Sequence, residues 1–275
     1  MALANKFGRN HTSVRSHIPL TNSQIQAVAP SIFADEKHGS RSERYTYIPT
    51  IAVLEQLRKE GFMPFMACQA RCRDEGKRDF TKHMLRLRHA SQITSGEANE
   101  IILLNSHDGT SSYQMLAGTF RFVCANGMVC GDTLNDIRVP HKGNIVDNVI
   151  EGAFRVVEDF ELIKGQVDGM KSLSLDSREQ ELFAHSALAL KYDLEAGAAP
   201  ITETQILAPK RREDVGNDLW STFNRVQERM TKGGVPGRTA NGRRMQTRPI
   251  TGIDQDIKLN RALWLLAEGM RKLKA

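Results

Sequence analysis

The chain has 275 residues, of which 40% are hydrophobic and 25% charged, so its composition is that of an ordinary globular protein and excludes wholesale disorder or a fibrous repeat. Its 38 Lys and Arg residues exceed its 32 Asp and Glu residues, which gives a net charge of +6. No run reaches the roughly eighteen apolar residues of a membrane helix, and the N-terminus has no apolar signal core. We therefore expect a soluble, cytoplasmic protein that does not bind membranes.

The first half of the chain changes from helical to strand patterns. Residues 1–20 are polar and basic and are predicted to form a flexible basic arm. A short helix capped by Thr21 follows, and then a longer helix that begins at Pro49. Alternation of apolar and polar residues next predicts an antiparallel meander of about four strands. These strands cover residues 62–72, 82–90, 100–105 and 119–124.

The second half is predicted to be mostly helical, because its apolar residues repeat at helical spacing. The helices cover residues 145–170, 176–191, 217–231 and 253–273. The predicted fold class is therefore α+β, with an N-terminal helix plus an antiparallel β-meander followed by a mostly helical C-terminal half. An α+β meander domain would cover 21–143, and a helical region packed on it would cover 144–275. The apolar stripe of the first long helix would serve the core or an interface in a homo-oligomer.

A segment near the C-terminus breaks the composition. Residues 232–248 are rich in Gly and carry five basic residues and no acid, which predicts a mobile basic loop between the last two helices. Unopposed positive charges repel one another unless an anion is present, so this loop is a candidate phosphate clamp. Its basic residues are Lys232, Arg238, Arg243, Arg244 and Arg248.

A second group of candidate phosphate contacts lies on the predicted strand hairpin. Arginines on a strand face are one way in which proteins follow a nucleic-acid backbone. The alternative is that outward charges simply solvate the outer face of an antiparallel pair. The four residues of this group are Arg71, Arg73, Arg86 and Arg88.

The polar loop NSHDGTSS, residues 105–112, follows the most apolar predicted strand. His107 beside Asp108 would supply a base and an orienting acid, and these two are the candidate catalytic residues, with Cys124 as a further nucleophile. The alternative is a turn in which Asn, Asp and Ser side chains bond the local backbone. No second ligand stands at a metal-binding spacing, and no phosphate-binding loop or HExxH motif occurs, so we predict neither a metal nor a cofactor.

Several runs together carry a family resemblance. RSERYTYIPT, ILLNSHDGTSSYQM, FRFVCANGMVCG, NDLWSTFNRVQERMTKGG and TGIDQDIKLNRALW resemble the uncharacterised prophage and plasmid proteins that share domain of unknown function 932. The motif shared across that family corresponds here to Asn105, Ser106, His107, Asp108, Gly109, Thr110, Arg121, Cys124 and Asn126. The resemblance implies a protein of a mobile genetic element, found among genes for recombination, single-strand handling and evasion of host defence. It implies no particular enzymatic activity.

Three functions remain open at this point. A helix followed by a basic meander is similar in architecture to phage single-strand annealing proteins, which favours binding or annealing of single-stranded DNA. The first alternative is a protein that binds and inhibits a host defence system, such as a restriction enzyme or nuclease. The positive net charge argues against inhibition by DNA mimicry, since mimics present acidic surfaces. The second alternative is a hydrolase-type enzyme that uses the NSHDG loop.

Overall fold

The computed structural model describes residues 3–5, 11–41, 47–72, 74–93, 96–123, 125–131, 137–139 and 145–274. Two predicted site residues, Arg73 and Cys124, lie outside this set, and only the backbone of Asn126 is described. Within the described residues no helix combines the length and the apolar character that crossing a membrane requires.

The described residues form ten strands and seven α-helices, which confirms the α+β fold class. The strands are β1 (Leu3–Asn5), β2 (His11–Arg15), β3 (Phe62–Ala70), β4 (His83–His89), β5 (Glu97–Asn105), β6 (Tyr113–Arg121), β7 (Asn126–Val129), β8 (Ile137–Val139), β9 (Pro236–Arg238) and β10 (Arg244–Gln246). The helices are α1 (Asn22–Val28), α2 (Thr50–Lys59), α3 (Ile145–Ser172), α4 (Ser177–Ala189), α5 (Glu203–Leu207), α6 (Leu219–Lys232) and α7 (Ile253–Lys274).

The first compact unit comprises Met1–Phe122 and Thr133–Phe160. Its strands β1 to β6 are hydrogen-bonded in sequence order, each antiparallel to the next, and β8 pairs with β6. Leu85 of β4 faces Ala67 of β3 on one side and Leu103 of β5 on the other, and all three are fully buried. Since every residue of β4 from 83 to 88 is buried, both faces of this central strand are covered.

The sheet begins earlier in the chain than predicted. The second half of the expected flexible arm forms β2, whose residues pair with β3 from His11 opposite Ala70 to Arg15 opposite Met66. Val14 is buried, and the Ser16 amide donates to the carbonyl of Phe65. A five-residue segment with one buried apolar side chain is too short for an alternating pattern to identify it as a strand. Pairing with β3 therefore determines its conformation.

Both early helices form where local signals place them. In α1, Thr21 and Gln24 form a capping box, in which each side chain accepts a hydrogen bond from the other residue's backbone amide. Helix α2 buries Leu54 and Leu57, and the chain leaves it through Gly61 at a φ of 85°. A positive φ is easily adopted by glycine, which explains the sharp stop.

The second compact unit comprises Val123–Asp132 and Glu161–Ala275. Helix α3 contributes its residues up to Phe160 to the first unit and the remainder to the second. The core of the second unit surrounds α6, where the Trp220 and Phe223 rings stack at 5.5 Å between centroids. Trp264 of α7 meets both rings edge-on. These aromatic contacts fix α7 against α6 and so hold both ends of the segment between them.

Candidate nucleic-acid interface

The two arginines of β4 are buried, whereas both interpretations of the predicted strand hairpin place them on an outward face. Arg86 and Arg88 are each only 1% exposed. Arg86 Nη1 donates to Glu100 Oε2 at 3.0 Å, and Arg88 Nε donates to Glu100 Oε1 at 2.8 Å. The expected surface does not form at these positions because the sheet is covered on both faces and Glu100 of β5 compensates the buried charge.

Aromatic rings complete the surroundings of Arg88. Its guanidinium carbon lies 4.1 Å from the centroid of the Phe120 ring, 4.5 Å from that of Phe65 and 5.3 Å from that of Phe122. Burial lowers the pKa of Arg88, and the Glu100 carboxylate opposes that shift. Cation–π contact and the ion pair together stabilise the charged guanidinium inside the sheet, where a phosphate backbone has no access to it.

Arg71 is the described residue of this predicted group that lies at the surface. It directly follows β3 and is exposed. One exposed arginine next to a strand is an ordinary surface feature, so the first unit supplies little support for the predicted arginine face.

The NSHDG loop is closed by its own side chains. Asp108 Oδ1 accepts from the Thr110 amide at 3.0 Å and from the Thr110 hydroxyl at 2.6 Å. The Ser106 hydroxyl accepts from the Ser111 amide at 2.9 Å and donates to the Ser111 carbonyl at 3.2 Å. Gly109 has a φ of 76°. This arrangement favours the turn interpretation, because these side chains bond the local backbone as Asx and Ser turns do.

His107 points away from solvent into a cluster of buried polar side chains. His83 Nδ1 lies 3.1 Å from the Thr81 carbonyl, which only accepts, so this nitrogen carries the proton. His83 Nε2 then accepts from the Thr50 hydroxyl at 2.9 Å, and that hydroxyl accepts from Asn105 Nδ2 at 2.9 Å. The His83 and His107 rings are 5.1 Å apart. The cluster links β4, β5 and the start of α2 and therefore fixes the first unit internally.

The imidazole of His83 is held neutral. Burial, and secondarily the neighbouring His107, lower the pKa of His83 to about 3. His107 is 0% exposed, so a substrate has no route to its ring in this conformation. Among the described residues, moreover, no group of three or more His, Cys, Asp or Glu side chains is placed to hold a metal ion. The geometry therefore gives no support to a catalytic role for the loop.

The basic segment of the second unit folds into a hairpin, which we call the basic hairpin (residues 236–248, the two strands and the two residues that follow them). Strands β9 and β10 pair with Arg238 directly opposite Arg244. The turn between them is closed by hydrogen bonds from the Thr239 amide to the Arg243 carbonyl and from the Gly242 amide to the Thr239 carbonyl. At the base of the hairpin, the carbonyl of buried Thr247 accepts a hydrogen bond from the Gly234 amide, and the Thr247 amide donates to the Val235 carbonyl. The expected loop thus has a defined backbone.

The basic hairpin is fixed to the loop before α5. The Arg238 amide donates to the Pro200 carbonyl at 2.9 Å, and Gln205 Nε2 donates to the Pro236 carbonyl at 2.8 Å. A Cβ on Gly237 would collide with the Pro200 carbonyl oxygen, so only glycine allows this close approach. Since Arg238 and Arg244 lie opposite each other, their side chains project from the same face of the hairpin.

The charges of the basic hairpin lack the compensation found on β4. Four arginines, at 238, 243, 244 and 248, are exposed. Within the described part of the chain, none of their guanidinium groups lies within ion-pair distance of a carboxylate. Lys232 at the end of α6 differs, because it contacts Glu228 at 3.3 Å. Directly opposed like charges destabilise a strand pair, so this hairpin is a place where an added anion is favourable.

Comparison with known proteins places the chain in a family. Residues 37–264 match the family model described as Domain of unknown function (DUF932). The chain belongs to the DUF932 family. The DUF932 match covers both the NSHDG loop and the basic hairpin, and it confirms the resemblance found in the sequence.

Two DUF932-related chains of Escherichia coli strain K12 are similar over almost their whole length. The UPF0380 protein YafZ is 53% identical over 268 residues, covering 98% of this chain and 97% of YafZ. The UPF0380 protein YfjQ is 53% identical over 266 residues, covering 97% of this chain and 96% of YfjQ. No solved structure matches this DUF932 chain.

Sequence reasoning missed two features of the DUF932 fold described here. Glu100, the partner of the buried arginines, directly precedes the apolar run of residues 101–104, which was the available signal. Ser31, Thr50 and His83 come from separate elements, and no local pattern brings them together. In contrast, the four exposed arginines of residues 238–248 were all found, because an excess of one charge in a Gly-rich segment is visible without any structure.

Proposed function

We propose that this DUF932 protein binds nucleic acid through the basic hairpin, with single-stranded DNA as its preferred form. The observation that carries the proposal is the exposed set of arginines at 238, 243, 244 and 248, which have no carboxylate partner on a hairpin with fixed backbone. Guanidinium groups match phosphate geometry and can bind it through two parallel hydrogen bonds. The cytoplasm of a cell that carries a prophage or plasmid would be the setting for this activity.

The proposed contacts are to the backbone rather than to bases. The basic hairpin contains no aromatic ring on which a base would stack, and its tip residues are Thr239, Ala240 and Asn241. Binding through phosphates gives little sequence preference and a strong dependence on salt. This pattern suits a protein that binds or anneals single strands of any sequence, the role that the mobile-element context favours.

Fluorescence anisotropy with labelled single- and double-stranded oligonucleotides tests the proposal. We expect salt-sensitive binding that prefers the single strand. The slope of log K against log salt is negative, and each phosphate contact on a single strand contributes about 0.7 to its magnitude. Arg238→Gln/Arg244→Gln should therefore reduce this magnitude by about 1.4. The matched control Lys164→Gln/Arg178→Gln removes the same charge from the exposed surface of α3 and α4 and should keep the wild-type slope. Absence of binding at low salt would refute the proposal.

A second candidate function is binding to a host protein, such as a restriction enzyme or nuclease of a defence system. Leu182 in the middle of α4 and Leu190 directly after it are 60% and 46% exposed. Exposed leucines are more typical of a protein contact than of a nucleic-acid contact. This alternative would be favoured if the protein forms a stoichiometric complex with such an enzyme and does not bind DNA. Leu182→Ser should then weaken the complex.

A further inference from the structure

Arg238 and Arg244 form a close pair in the ladder of the basic hairpin. Antiparallel partners alternate between hydrogen-bonded and non-hydrogen-bonded pairs, and the Cα atoms of the latter are closer, about 4.5 Å apart. The Thr239 amide donates to the Arg243 carbonyl at 2.9 Å, so the next pair toward the turn is hydrogen-bonded. The Arg238 amide donates away from the ladder, to the Pro200 carbonyl. Arg238 and Arg244 are therefore a non-hydrogen-bonded pair.

The side chains of this pair leave the backbone next to each other. Directly opposed side chains lie on one face of a strand pair, with their Cβ atoms about 4.5–5.5 Å apart. An arginine side chain is longer than this separation, so the two guanidinium groups can converge on one ligand. Because their like charges repel each other, a ligand that carries two negative charges is favoured between them.

Both guanidinium groups have donors available for such a ligand. A guanidinium has five N–H donors and no acceptor. Arg238 uses one of them, since its Nη1 donates to the Gly242 carbonyl at 2.9 Å, and this bond holds the side chain near the turn. Among the described residues, the Arg244 guanidinium has no hydrogen-bond or ion-pair partner. Most donors of the pair are therefore open to an external anion.

A phosphomonoester matches this pair better than a phosphodiester does. The monoester at a phosphorylated strand end carries a charge of about −1.5 to −2 at pH 7 and has three strongly accepting oxygens. A phosphodiester within the strand carries a single negative charge and has two such oxygens. Each guanidinium binds phosphate best through two parallel hydrogen bonds, so two guanidinium groups use the acceptors and the charge of a monoester more fully.

We propose that Arg238 and Arg244 together bind the terminal phosphomonoester of a single DNA strand, so that the protein prefers phosphorylated strand ends. The inference rests on the proposed function and names the form of the strand that the basic hairpin binds best. Phosphodiesters within the strand are ligands for the same two arginines, one phosphate for each, at lower affinity. Arg243 directly precedes Arg244 and lies on the opposite face of the paired backbone, outside this pair.

Competition against a fluorescein-labelled oligothymidine, followed by anisotropy, tests this inference. The unlabelled competitors are oligothymidines of one length with a 5′-phosphate, a 3′-phosphate or hydroxyl groups at both ends. A phosphorylated end should compete about tenfold better, the equivalent of one further charged hydrogen bond, and the two phosphorylated strands show which end is preferred. A hydroxyl-ended strand that is two nucleotides longer adds a similar charge as phosphodiesters and should gain less than about twofold.

Two neighbouring substitutions show whether the preference belongs to the pair. Arg244→Gln breaks the pair and should abolish the preference for a phosphorylated end. The matched control Arg243→Gln removes the same charge from the adjacent residue on the opposite face. It should weaken binding of all competitors alike and keep the preference. Circular dichroism verifies that both variants fold.

The outcomes separate this inference from the proposal on which it rests. Equal competition by phosphorylated and hydroxyl-ended strands would overturn the inference and leave binding through the basic hairpin intact. An equal loss of preference in Arg243→Gln and Arg244→Gln would also overturn it, because net charge would then explain the preference. The same holds if the longer hydroxyl-ended strand competes as well as the phosphorylated strands. Absence of salt-sensitive binding to the labelled strand would overturn the proposed function as well.

Discussion

Arginines occur in pairs in two regions of the molecule, and the two pairs have opposite surroundings. On β4, Arg86 and Arg88 stand two residues apart, are buried, and share the carboxylate of Glu100. On the basic hairpin, Arg238 and Arg244 stand opposite each other, are exposed, and have no carboxylate within ion-pair distance in the described residues. Both pairs consist of arginines on one face of a β-structure, but their surroundings differ.

This comparison shows what decides whether an arginine is structural or available to a ligand. A buried guanidinium needs a fixed anion, because an uncompensated charge in the interior is very costly. An exposed guanidinium without a carboxylate partner loses little when it binds phosphate, and the binding releases counterions from the nucleic acid. Of the exposed pair, Arg238 also donates Nη1 to the Gly242 carbonyl at 2.9 Å. The first pair therefore contributes to the fold, and the second is the pair that we propose to bind phosphate. Each of the following predictions tests one side of this distinction.

The largest effect is expected from Glu100→Gln. This change leaves two buried guanidinium groups without their carboxylate at nearly unchanged volume, so the free energy of unfolding should fall by about 3–5 kcal/mol. The midpoint of urea denaturation measures this change in the free energy of unfolding. As a control, Glu60→Gln changes an exposed residue at the end of α2 and should remain within about 0.5 kcal/mol of wild type. A loss below about 1 kcal/mol for Glu100→Gln would mean that the β4 arginines do not depend on this partner.

A smaller effect is expected from acidification, because His83 is another buried group of the first unit. Its pKa is about 3 in the folded protein, and the ordinary value is 6.5. The unfolded chain therefore binds a proton between these values that the folded chain does not, so stability falls as pH drops below about 6.5. Between about pH 7.5 and pH 5 this site alone should cost ~2 kcal/mol.

Denaturation at both pH values checks this expectation for His83. In His83→Gln the difference in the free energy of unfolding between the two pH values should shrink by that ~2 kcal/mol. This holds whatever the variant's absolute stability. His185→Gln removes an imidazole from a side chain that is 60% exposed and should alter the difference by less than about 0.5 kcal/mol. An unchanged pH dependence in His83→Gln would show that His83 takes up its proton in the folded state.

The parts of the fold that follow from local signals were predictable from the sequence. The cap predicted at Thr21 places the start of α1 where hydrogen bonds confirm it. Strand β4 was predicted from its alternation, but the outward face on which both interpretations placed its arginines is buried. Alternation indicates which residues share a face, and it does not indicate whether that face is covered.

The remaining features depend on contacts between distant segments. The basic hairpin forms because Gly237 packs on the Pro200 carbonyl and Gln205 bonds Pro236, and neither contact is visible in the composition of residues 232–248. Lys210 likewise contacts Glu228 of α6 at 3.4 Å across 18 residues of sequence. The excess of positive charge in the candidate site could be predicted, whereas its geometry could not, because distant residues determine that geometry.

The smallest effect is expected from Arg238→Lys/Arg244→Lys on the basic hairpin. Both residues are exposed and make no ion pair with a described carboxylate, so the free energy of unfolding should stay within about 0.5 kcal/mol of wild type. The charge is conserved, so the salt slope of DNA binding should also stay the same. The affinity itself should fall several-fold, because an ammonium cannot make the two parallel hydrogen bonds of a guanidinium.

Anisotropy and urea denaturation of the same Arg238→Lys/Arg244→Lys preparation measure all three quantities. A loss of more than about 1 kcal/mol in stability would show that these arginines support the hairpin, as Arg86 and Arg88 support the sheet. An unchanged affinity would indicate that they act only as point charges. The expected combination, in which affinity falls while stability and salt slope do not, requires arginines that are oriented toward phosphate and are not needed by the fold.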